Sequence, residues 1–299
     1  MNWAIKKEHH GMIIRDFLQK NHGFSRRMLT TLKKDKRILV NGAPQTVRFC
    51  LSEGDYLEVI FPRETIGENM VREKMELAIV YEDDAVIVLN KPAGIATIPS
   101  QNHPTGTIAN GVLAYYEENN IPHTIHVVTR LDRDTSGLLL IAKDRYSHSL
   151  LATTQKQRAI KRKYQAIVKG HLEPMSGTID ASIDRKEGSI IERAVIETGK
   201  RAITHYKVIK EYADTSLVEI ELETGRTHQI RVHFSHINHS LLGDDLYGGS
   251  IERIERQALH CIEISFEHPF TKEIISLKSS LSEDMLDLIR ELEDEDQIN

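Results

Sequence analysis

Cysteine is scarce in this chain of 299 residues, which has only Cys50 and Cys261. The two lie far apart in sequence and do not form the closely spaced set on which a disulfide framework depends. The N-terminal stretch MNWAIKKEHHGM has no apolar core and no small-residue cleavage site, so no secretory signal is visible. These features predict a cytoplasmic protein.

Long apolar runs are also missing. One of the longest, residues 138–142, is far shorter than the roughly 20 apolar residues that a membrane-spanning helix needs. With 40% hydrophobic and 28% charged residues, the composition is ordinary for a soluble globular protein. The length suits one large domain or two unequal ones.

The chain as a whole has no excess of positive charge, since its formal net charge is −5. Some of its segments do have such an excess. Residues 1–62 carry 11 Lys and Arg against 6 Asp and Glu, and residues 143–170 carry 8 against 1. Residues 281–299 carry 8 acidic side chains and one Arg. The acidic tail therefore hides two basic zones, and a local basic patch is what binds phosphates.

The first 62 residues predict two helices, a hairpin and a strand. Apolar residues recur at helical spacing in GMIIRDFLQKNHG, which ends at Gly23, and Ser25 suits the N-cap of a second helix. Asn41-Gly42 is a strong hairpin signal, and the segment GDYLEV predicts a strand. Basic side chains lie on or just after the second helix: Arg26, Arg27, Lys33, Lys34 and Lys36.

This order of helices and hairpin resembles the S4 RNA-binding domain, through the SRR…L helix, the VNG turn and the GDYLEV strand. The resemblance implies that Arg26, Arg27, Lys33 and Lys34 contact RNA. A small helical domain with a solvated charged face is the alternative interpretation. Residues 63–76 are charged and have little apolar periodicity, so we predict a linker there.

Residues 77–299 predict a larger domain that ends in an acidic tail. The segment SLVEIELETG alternates apolar and acidic residues, which is typical of a strand with one wet face. The segment RTHQIRVHFSHI has helical spacing instead, and the apolar stripe of the tail predicts a docked helix. Because strands and helices do not alternate strictly, we predict an α+β fold with a mixed, largely antiparallel sheet flanked by helices.

The stretch HVVTRLDRDTSGLLLIAKD, residues 126–144, places two aspartates, Asp132 and Asp134, directly before an apolar run. It resembles the R-L-D-x-x-T-S-G signature of the RluA-type pseudouridine synthases. Further blocks stand in that family's order along the rest of the chain: NKPAG, KRKYQAIVKG, GKRAITHYKV, TGRTHQIRVHFSHINHSLLGDDLYG and QALHCIEISFEHPFT. So many blocks in series make the resemblance strong.

The resemblance implies an enzyme that isomerises uridine to pseudouridine at specific sites of structured RNA. By the family's pattern, Asp132 is the catalytic carboxylate, Tyr164 packs against the target base and Arg226 pairs with the carboxylate. Among the basic residues near Tyr164, Lys161 and Lys163 are expected to grip RNA phosphates. The family usually has histidine where Thr129 stands here, which leaves the local hydrogen bonding open.

The expected partner is RNA, above all large-subunit ribosomal RNA, with transfer RNA as the other possible substrate. We expect no membrane partner and a monomeric enzyme. No cofactor and no metal are expected, because the reaction is an isomerisation without net transfer of electrons or groups. A protein that has kept the fold but only binds RNA or assists ribosome assembly is the competing hypothesis.

Elementary chemistry explains why a charge stands beside a buried strand. The isomerisation breaks the C1′–N1 bond, turns the base and joins C1′ to C5, and a carboxylate can act as nucleophile or base in such a step. Water must be kept out, or the detached base would be lost. A carboxylate in a dry pocket needs a nearby cation to remain charged, and Arg226 is the residue we expect there.

Other residues have less specific interpretations. Asp134 is expected to be a turn residue that binds backbone amides. Lys91 is expected to form an ion pair or to face RNA. Four histidines lie close in sequence, but none has a recognisable zinc spacing with an acidic or cysteine ligand, so we expect helix-surface residues; a metal-dependent phosphodiesterase is the weaker alternative. They are His228, His233, His236 and His239.

Overall fold

The computed structural model describes residues 1–61, 70–100, 103–122 and 124–298. Within these residues no helix combines the length and the apolar character required to cross a bilayer. The chain forms a small N-terminal sheet with two helices, and a large sheet with four helices around it.

The N-terminal part contains two helices and a four-stranded antiparallel sheet of order β1-β4-β2-β3. The first helix ends at Gly23, which has a positive φ of 69°, and the Ser25 Oγ accepts the N–H of Met28 at 3.2 Å. Both predicted helix ends are thereby confirmed. The elements are β1 (Asn2–Ala4), α1 (Ile14–His22), α2 (Arg26–Lys34), β2 (Ile38–Val40), β3 (Ala43–Pro44) and β4 (Tyr56–Val59).

The larger sheet has ten strands in the part of the chain that the structure describes. Its main path runs β10-β13-β14-β9-β15-β8-β6-β5, while β16 pairs with β15 and β7 with β8. The strands are β5 (Ile79–Glu82), β6 (Val86–Lys91), β7 (His126–Val127), β8 (Ser136–Ala142), β9 (Lys161–Lys169), β10 (Ser176–Asp180), β13 (Ile203–Glu211), β14 (Thr215–Leu222), β15 (Leu259–Glu267) and β16 (Ile274–Lys278).

Helices flank this sheet, and a separate two-stranded hairpin lies between β10 and β13 in sequence. The β8–β15 pair is parallel and the other strand pairs are antiparallel, which confirms the predicted mixed, largely antiparallel α+β fold. The remaining elements are α3 (Ile108–Glu118), α4 (Arg145–Lys156), β11 (Ile183–Arg185), β12 (Arg193–Val195), α5 (Gln229–His236) and α6 (Glu283–Ile298).

The acidic tail is a helix docked on the sheet. Met285, Leu288 and Leu292 of α6 are almost fully buried and share an apolar cluster with Ile167 of β9. The acidic residues of the same helix stay at the surface, where Glu293 accepts a hydrogen bond from the Lys210 Nζ at 2.7 Å. The predicted apolar stripe therefore holds the tail in place.

The N-terminal sheet and its helices lie against the start of α4. The hydroxyl of Tyr146 donates to the carbonyl of His22 at 2.8 Å, and the Tyr146 ring lies 4.6 Å from that of Phe24, centroid to centroid. Leu150, one turn further along α4, packs against the same apolar cluster. This contact joins the N-terminal part to the larger sheet independently of the connecting segment.

The connecting segment is only partly described, since residues 63–69 of the predicted linker lie outside the described residues. Residues 70–76 form neither helix nor strand but are held against α3. The Asn110 amide donates to the carbonyl of Val71 at 2.7 Å, and the Glu73 carboxylate accepts the N–H of Gly106 at 2.6 Å. Met75 packs on the main apolar core.

One row of residues across three strands brings distant parts of the sequence together. Cys261 of β15 pairs with Gly137 of β8 on one side and with Tyr164 of β9 on the other. Gly137 has φ of +110°, and a Cβ at this position would overlap the backbone of Cys261. The close approach of β8 to β15 thus requires glycine and fixes the loop that precedes β8.

We predict that Gly137→Ala lowers the free energy of unfolding by about 3 kcal/mol, because it adds a backbone overlap to an unfavourable φ. Gly188→Ala is the matched control: its φ is +78°, but open space surrounds its Cβ position. We expect it to lower the free energy of unfolding by about 1 kcal/mol. Urea denaturation of both variants measures the difference, and equal losses would contradict the close-approach argument.

Candidate active site

A cleft of about 670 Å³ opens where the loop before β8, the strand β9 and the start of α5 meet. The loop contributes Asp132, β9 contributes Tyr164, and α5 contributes Arg231. Gln155, at the last turn of α4, lies at the same cleft and donates to the carbonyl of Val128 at 3.1 Å. Residues that the sequence separates by almost 100 positions therefore share one cavity.

Asp132 is held by a loop whose backbone is hydrogen-bonded on both sides. The Thr97 hydroxyl donates to the carbonyl of Leu131 at 2.7 Å, and the N–H of Thr135 donates to the carbonyl of Asp132 at 3.2 Å. The Thr129 Oγ1 accepts the N–H of Leu140 at 3.0 Å, so threonine ties the loop to β8 where the family usually has histidine. The Asp132 side chain is 29% exposed.

Lys91 supports this loop from the protein interior. Its Nζ donates to the carbonyls of Pro92, Ile95 and Arg133, each at 2.8 Å, and the residue is 1% exposed. Burial lowers the pKa of Lys91 to about 7. Three acceptors need three N–H donors, which only the ammonium form has. The prediction that Lys91 forms an ion pair or faces RNA was therefore wrong.

The cation beside Asp132 is Arg231. Its Nη1 lies 3.5 Å from the Asp132 Oδ2, while its Nε and Nη2 each lie 2.7 Å from the carboxylate of Asp244. The Asp244 side chain is fully buried. Burial opposes the charge of the guanidinium, but the hydrogen bond and the charge of Asp244 outweigh it and raise the pKa of Arg231. The Tyr247 ring also lies 5.0 Å from the guanidinium carbon.

The prediction that Arg226 pairs with Asp132 was wrong. Arg226 is exposed in the turn before α5, and its Nε donates to the carbonyl of Arg201 at 3.1 Å. That turn is fixed by Gln229, whose Oε1 accepts the N–H of Arg226 at 3.0 Å. Arg226 still lines the cleft. Arg231, two residues into α5, is instead turned toward the interior and reaches the carboxylate.

Tyr164 forms part of the cleft wall. It is 3% exposed, and the Arg162 Nη1 donates to its hydroxyl at 3.3 Å. Burial raises the pKa of Tyr164, so the side chain is a neutral phenol at physiological pH. Its position on β9, separated by β15 from the strand that follows the Asp132 loop, follows from the row through Cys261.

Two of the four histidines are not surface residues, contrary to the prediction. His233 is fully buried and bonds the Thr204 Oγ1 and the carbonyl of Ala181, each at 2.9 Å. His228 lines the cleft, with its Nε2 3.9 Å from the Asp132 Oδ2. Across the described ranges, no three His, Cys, Asp or Glu side chains gather in a way that could hold a metal ion.

Asp134 differs from its prediction in its partners. Its carboxylate pairs with the guanidinium of the neighbouring Arg133, with an Nε–Oδ1 distance of 3.0 Å. Asp134 was expected to bond backbone amides of the turn, but the N–H of the next residue, Thr135, donates to the Asp132 carbonyl. The two aspartates therefore have separate surroundings, and Asp132 is the one that faces the cleft.

The basic residues predicted to contact RNA lie at the surface. Lys161 is exposed, whereas Lys163 is partly buried and lies 3.5 and 3.2 Å from the carboxylates of Glu219 and Glu221. The four basic residues of α2 are all exposed: Arg26, Arg27, Lys33 and Lys34.

Comparison with known proteins identifies the family. Residues 85–236, which are half of the chain, match the family model described as RNA pseudouridylate synthase. The chain belongs to this family. Residues 1–57 match the N-terminal domain of RluD ribosomal pseudouridine synthases, so the RluA/RluD-like resemblance seen in the sequence is confirmed. The protein is therefore an RNA pseudouridine synthase, an isomerase that acts on uridine.

Relatives of this pseudouridine synthase match along nearly their whole length. A Bacillus subtilis (strain 168) protein described as uncharacterized RNA pseudouridine synthase YjbO is 47% identical over 269 residues, which are 90% of this chain and 95% of the relative. Ribosomal large subunit pseudouridine synthase D of Pseudomonas aeruginosa is 37% identical over 280 residues, covering 89% of this chain and 87% of the relative.

Solved structures support the fold of the synthase. Human RNA pseudouridylate synthase domain containing 4 superposes with a TM-score of 0.59 at 21% identity, over 72% of this chain and 93% of that protein. Human RNA pseudouridylate synthase domain containing 1 superposes with a TM-score of 0.57 at 22% identity, over 77% of this chain and 98% of that protein. At this identity the likeness concerns the architecture of the sheet and its helices.

We predict that Arg231→Lys lowers kcat/KM for pseudouridine formation by about 10- to 100-fold, because lysine cannot bond Asp244 in two places and also reach Asp132. Arg226→Lys is the matched control and should change kcat/KM by less than about threefold, since lysine keeps the positive charge that a phosphate contact needs and the Arg226 side chain bonds a backbone carbonyl. Thermal melts check that both variants fold. If Arg226→Lys is the more damaging change, the assignment of the cation is overturned.

Proposed function

We propose that this enzyme converts uridine to pseudouridine at specific positions of large-subunit ribosomal RNA, with Asp132 as the catalytic carboxylate. The observation that carries the proposal is the position of Asp132, in a cleft beside the Arg231 guanidinium and near Tyr164. The name of the Pseudomonas aeruginosa relative supports the choice of RNA. We further propose a cytoplasmic monomer.

The chemistry needs an ionised carboxylate close to the sugar. An anionic Asp132 can attack an electrophilic carbon or remove a proton as the C1′–N1 bond breaks, whereas the protonated acid can do neither. The Arg231 guanidinium places a positive charge 3.5 Å from the Asp132 carboxylate. Because Asp244 takes the two short bonds to the same guanidinium, the Asp132 oxygens keep lone pairs for the substrate.

The walls of the cleft suit a base turned out of its stack. Tyr164 offers an aromatic ring and Leu131 an apolar side chain, and both line the cavity. Stacking of a base on an aromatic ring is worth about 1–3 kcal/mol, which offsets part of the cost of extruding the base. The same apolar wall restricts water while the base is detached.

Basic side chains around the cleft and on α2 are proposed to bind the RNA backbone. The exposed side of the short helix α2 presents four positive charges, those of Arg26, Arg27, Lys33 and Lys34. Near the cleft, Lys161 is exposed and available for a phosphate, whereas Lys163 must exchange its two glutamate partners to bind one. Arg130, Arg162 and Arg226 line the cleft itself. Phosphate contacts of this kind fix the register of the RNA.

We predict that Asp132→Asn lowers the single-turnover rate of pseudouridine formation by about 10³-fold or more, because the amide is neither nucleophile nor base. RNA affinity should change by less than about threefold. Asp134→Asn is the matched control, since it removes a carboxylate two residues away that pairs with Arg133, and it should keep the rate.

The assay uses large-subunit ribosomal RNA from cells that lack the protein, with pseudouridine mapped before and after incubation. Transfer RNA from the same cells is the comparison substrate. Modification of transfer RNA alone would contradict the proposed substrate. RNA binding by the wild-type protein without any pseudouridine in either RNA would favour the binding-factor hypothesis.

For the RNA-binding helix we predict that Arg26→Gln combined with Arg27→Gln weakens RNA binding and makes it less salt-dependent. Each lost phosphate contact lowers the slope of log K against log salt concentration by about 1. Arg290→Gln is the control, because Arg290 is an exposed residue of α6 that pairs with Asp287. A slope equal to that of the wild type would show that α2 does not touch the RNA backbone.

A further inference from the structure

His228 combines an unusual backbone with a position in the cleft. It directly precedes α5 with φ of 56° and ψ of 20°, the left-handed region that residues other than glycine seldom adopt. Its side chain is only 13% exposed, and its Nε2 lies 3.9 Å from the Asp132 Oδ2. Strained residues of this kind concentrate at functional sites. The conformation aims the imidazole at the reacting carboxylate.

A chain of hydrogen bonds ends on one imidazole nitrogen of His228, the Nδ1. The backbone N–H of Arg193 donates to the Tyr247 hydroxyl oxygen at 2.9 Å. The same hydroxyl lies 2.8 Å from the His228 Nδ1. We assign the hydroxyl proton of Tyr247 to the bond with the His228 Nδ1, so that the hydroxyl accepts from Arg193 and donates to His228. The neutral ring then carries its hydrogen on Nε2, the nitrogen that faces the cleft.

The neutral ring is the form that the surroundings favour. Burial lowers the pKa of His228, opposed by the charge of Asp132 and assisted by that of Arg231. The charge of Asp244 also raises the pKa of His228 and that of Arg193 lowers it, both with a smaller effect. A neutral ring leaves Arg231 as the cation that pairs with Asp132, and it still offers one N–H donor.

We propose that His228 is a further catalytic residue, which donates its Nε2–H to a carbonyl oxygen of the uracil while the base is detached from the ribose. This inference rests on the proposed function. It assigns to His228 a contact with the substrate, and to Tyr247 the positioning of the donor.

The reaction requires such a donor. When the C1′–N1 bond breaks, its electron pair stays on the uracil and the negative charge spreads over N1 and both carbonyl oxygens. An electron pair of the turned base then forms the C1′–C5 bond, the C5 proton passes to the Asp132 carboxylate acting as a base, and N1 takes a proton from water. A hydrogen bond placed where the charge develops stabilises the transition state, and removing one such donor costs about 10²- to 10³-fold in rate. The donor transfers no proton in this step, and a neutral imidazole can polarise a carbonyl group in this way.

His228→Gly tests the donor without straining the backbone, since glycine accepts a positive φ and leaves space for a small molecule. We expect the single-turnover rate to fall by about 10²-fold or more, with RNA affinity within about threefold of the wild type. Added imidazole should restore part of the rate. Added 1-methylimidazole, which has no N–H, should not. Rescue by both molecules, or a variant as fast as the wild type, overturns the proposal.

Tyr247→Phe tests the hydrogen-bond chain, because phenylalanine keeps the ring against Arg231 and removes only the hydroxyl. In the full-length wild-type protein, ¹⁵N NMR of the His228 ring at pH 7 should show the neutral form with its hydrogen on Nε2, and a pKa below 6.5. In Tyr247→Phe we expect both neutral tautomers and a slower reaction. A wild-type ring with its hydrogen on Nδ1, or one that is charged at pH 7, contradicts the inference even if His228→Gly fails to fold.

The outcome for His228 is separable from that for the proposed function. If the wild-type enzyme forms pseudouridine and Asp132→Asn does not, the reaction and its carboxylate are established whatever His228→Gly does. If the wild-type enzyme forms no pseudouridine in any RNA, the proposed function fails first.

Discussion

One guanidinium serves two carboxylates, and the cleft depends on this sharing. Asp244 is fully buried and binds Arg231 through two bonds of 2.7 Å, which offsets the cost of keeping the guanidinium out of water. The third side of the guanidinium faces Asp132 at the longer distance of 3.5 Å. Asp132 thus faces a positive charge without being engaged in a short, two-bond pair of its own. Asp244 and Asp132 carry two negative charges against the one positive charge of Arg231. The negative charge in excess is that of Asp132, at the cleft.

The backbone around this centre is held by polar groups that point inward. Lys91 donates to three backbone carbonyls, including that of Arg133, which follows Asp132, and Gln229 fixes the turn that carries Arg226. Both are buried polar side chains that bond the backbone of a loop, and Gln229 also bonds the hydroxyls of Thr204 and Thr224. A loop held in this way is preorganised, so binding free energy is not spent on ordering it.

Sequence reasoning predicted much of the fold, because its signals are local. The glycine after α1, the Ser25 cap, the alternation in β14 and the stripe of α6 each depend on neighbouring residues.

The cleft was predicted only in part. Motif TGRTHQIR contains two arginines, and spacing alone does not reveal where α5 begins or which arginine is buried. His228 was missed because its φ and its Tyr247 partner are tertiary features. A buried Asp244 needs a cation beside it. That this cation is Arg231 follows only from the position of α5.

The contact between Tyr146 and the N-terminal part has a geometric consequence. Tyr146 and Gln155 are nine residues apart on one helix, or about 14 Å at 1.5 Å per residue. The first anchors the N-terminal sheet and its helices, and the second lies at the cleft. A helical segment of fixed length therefore connects the N-terminal part, which bears α2, to the cleft. In the proposed binding mode, the length of this helix sets the distance between a phosphate bound near α2 and the uridine in the cleft.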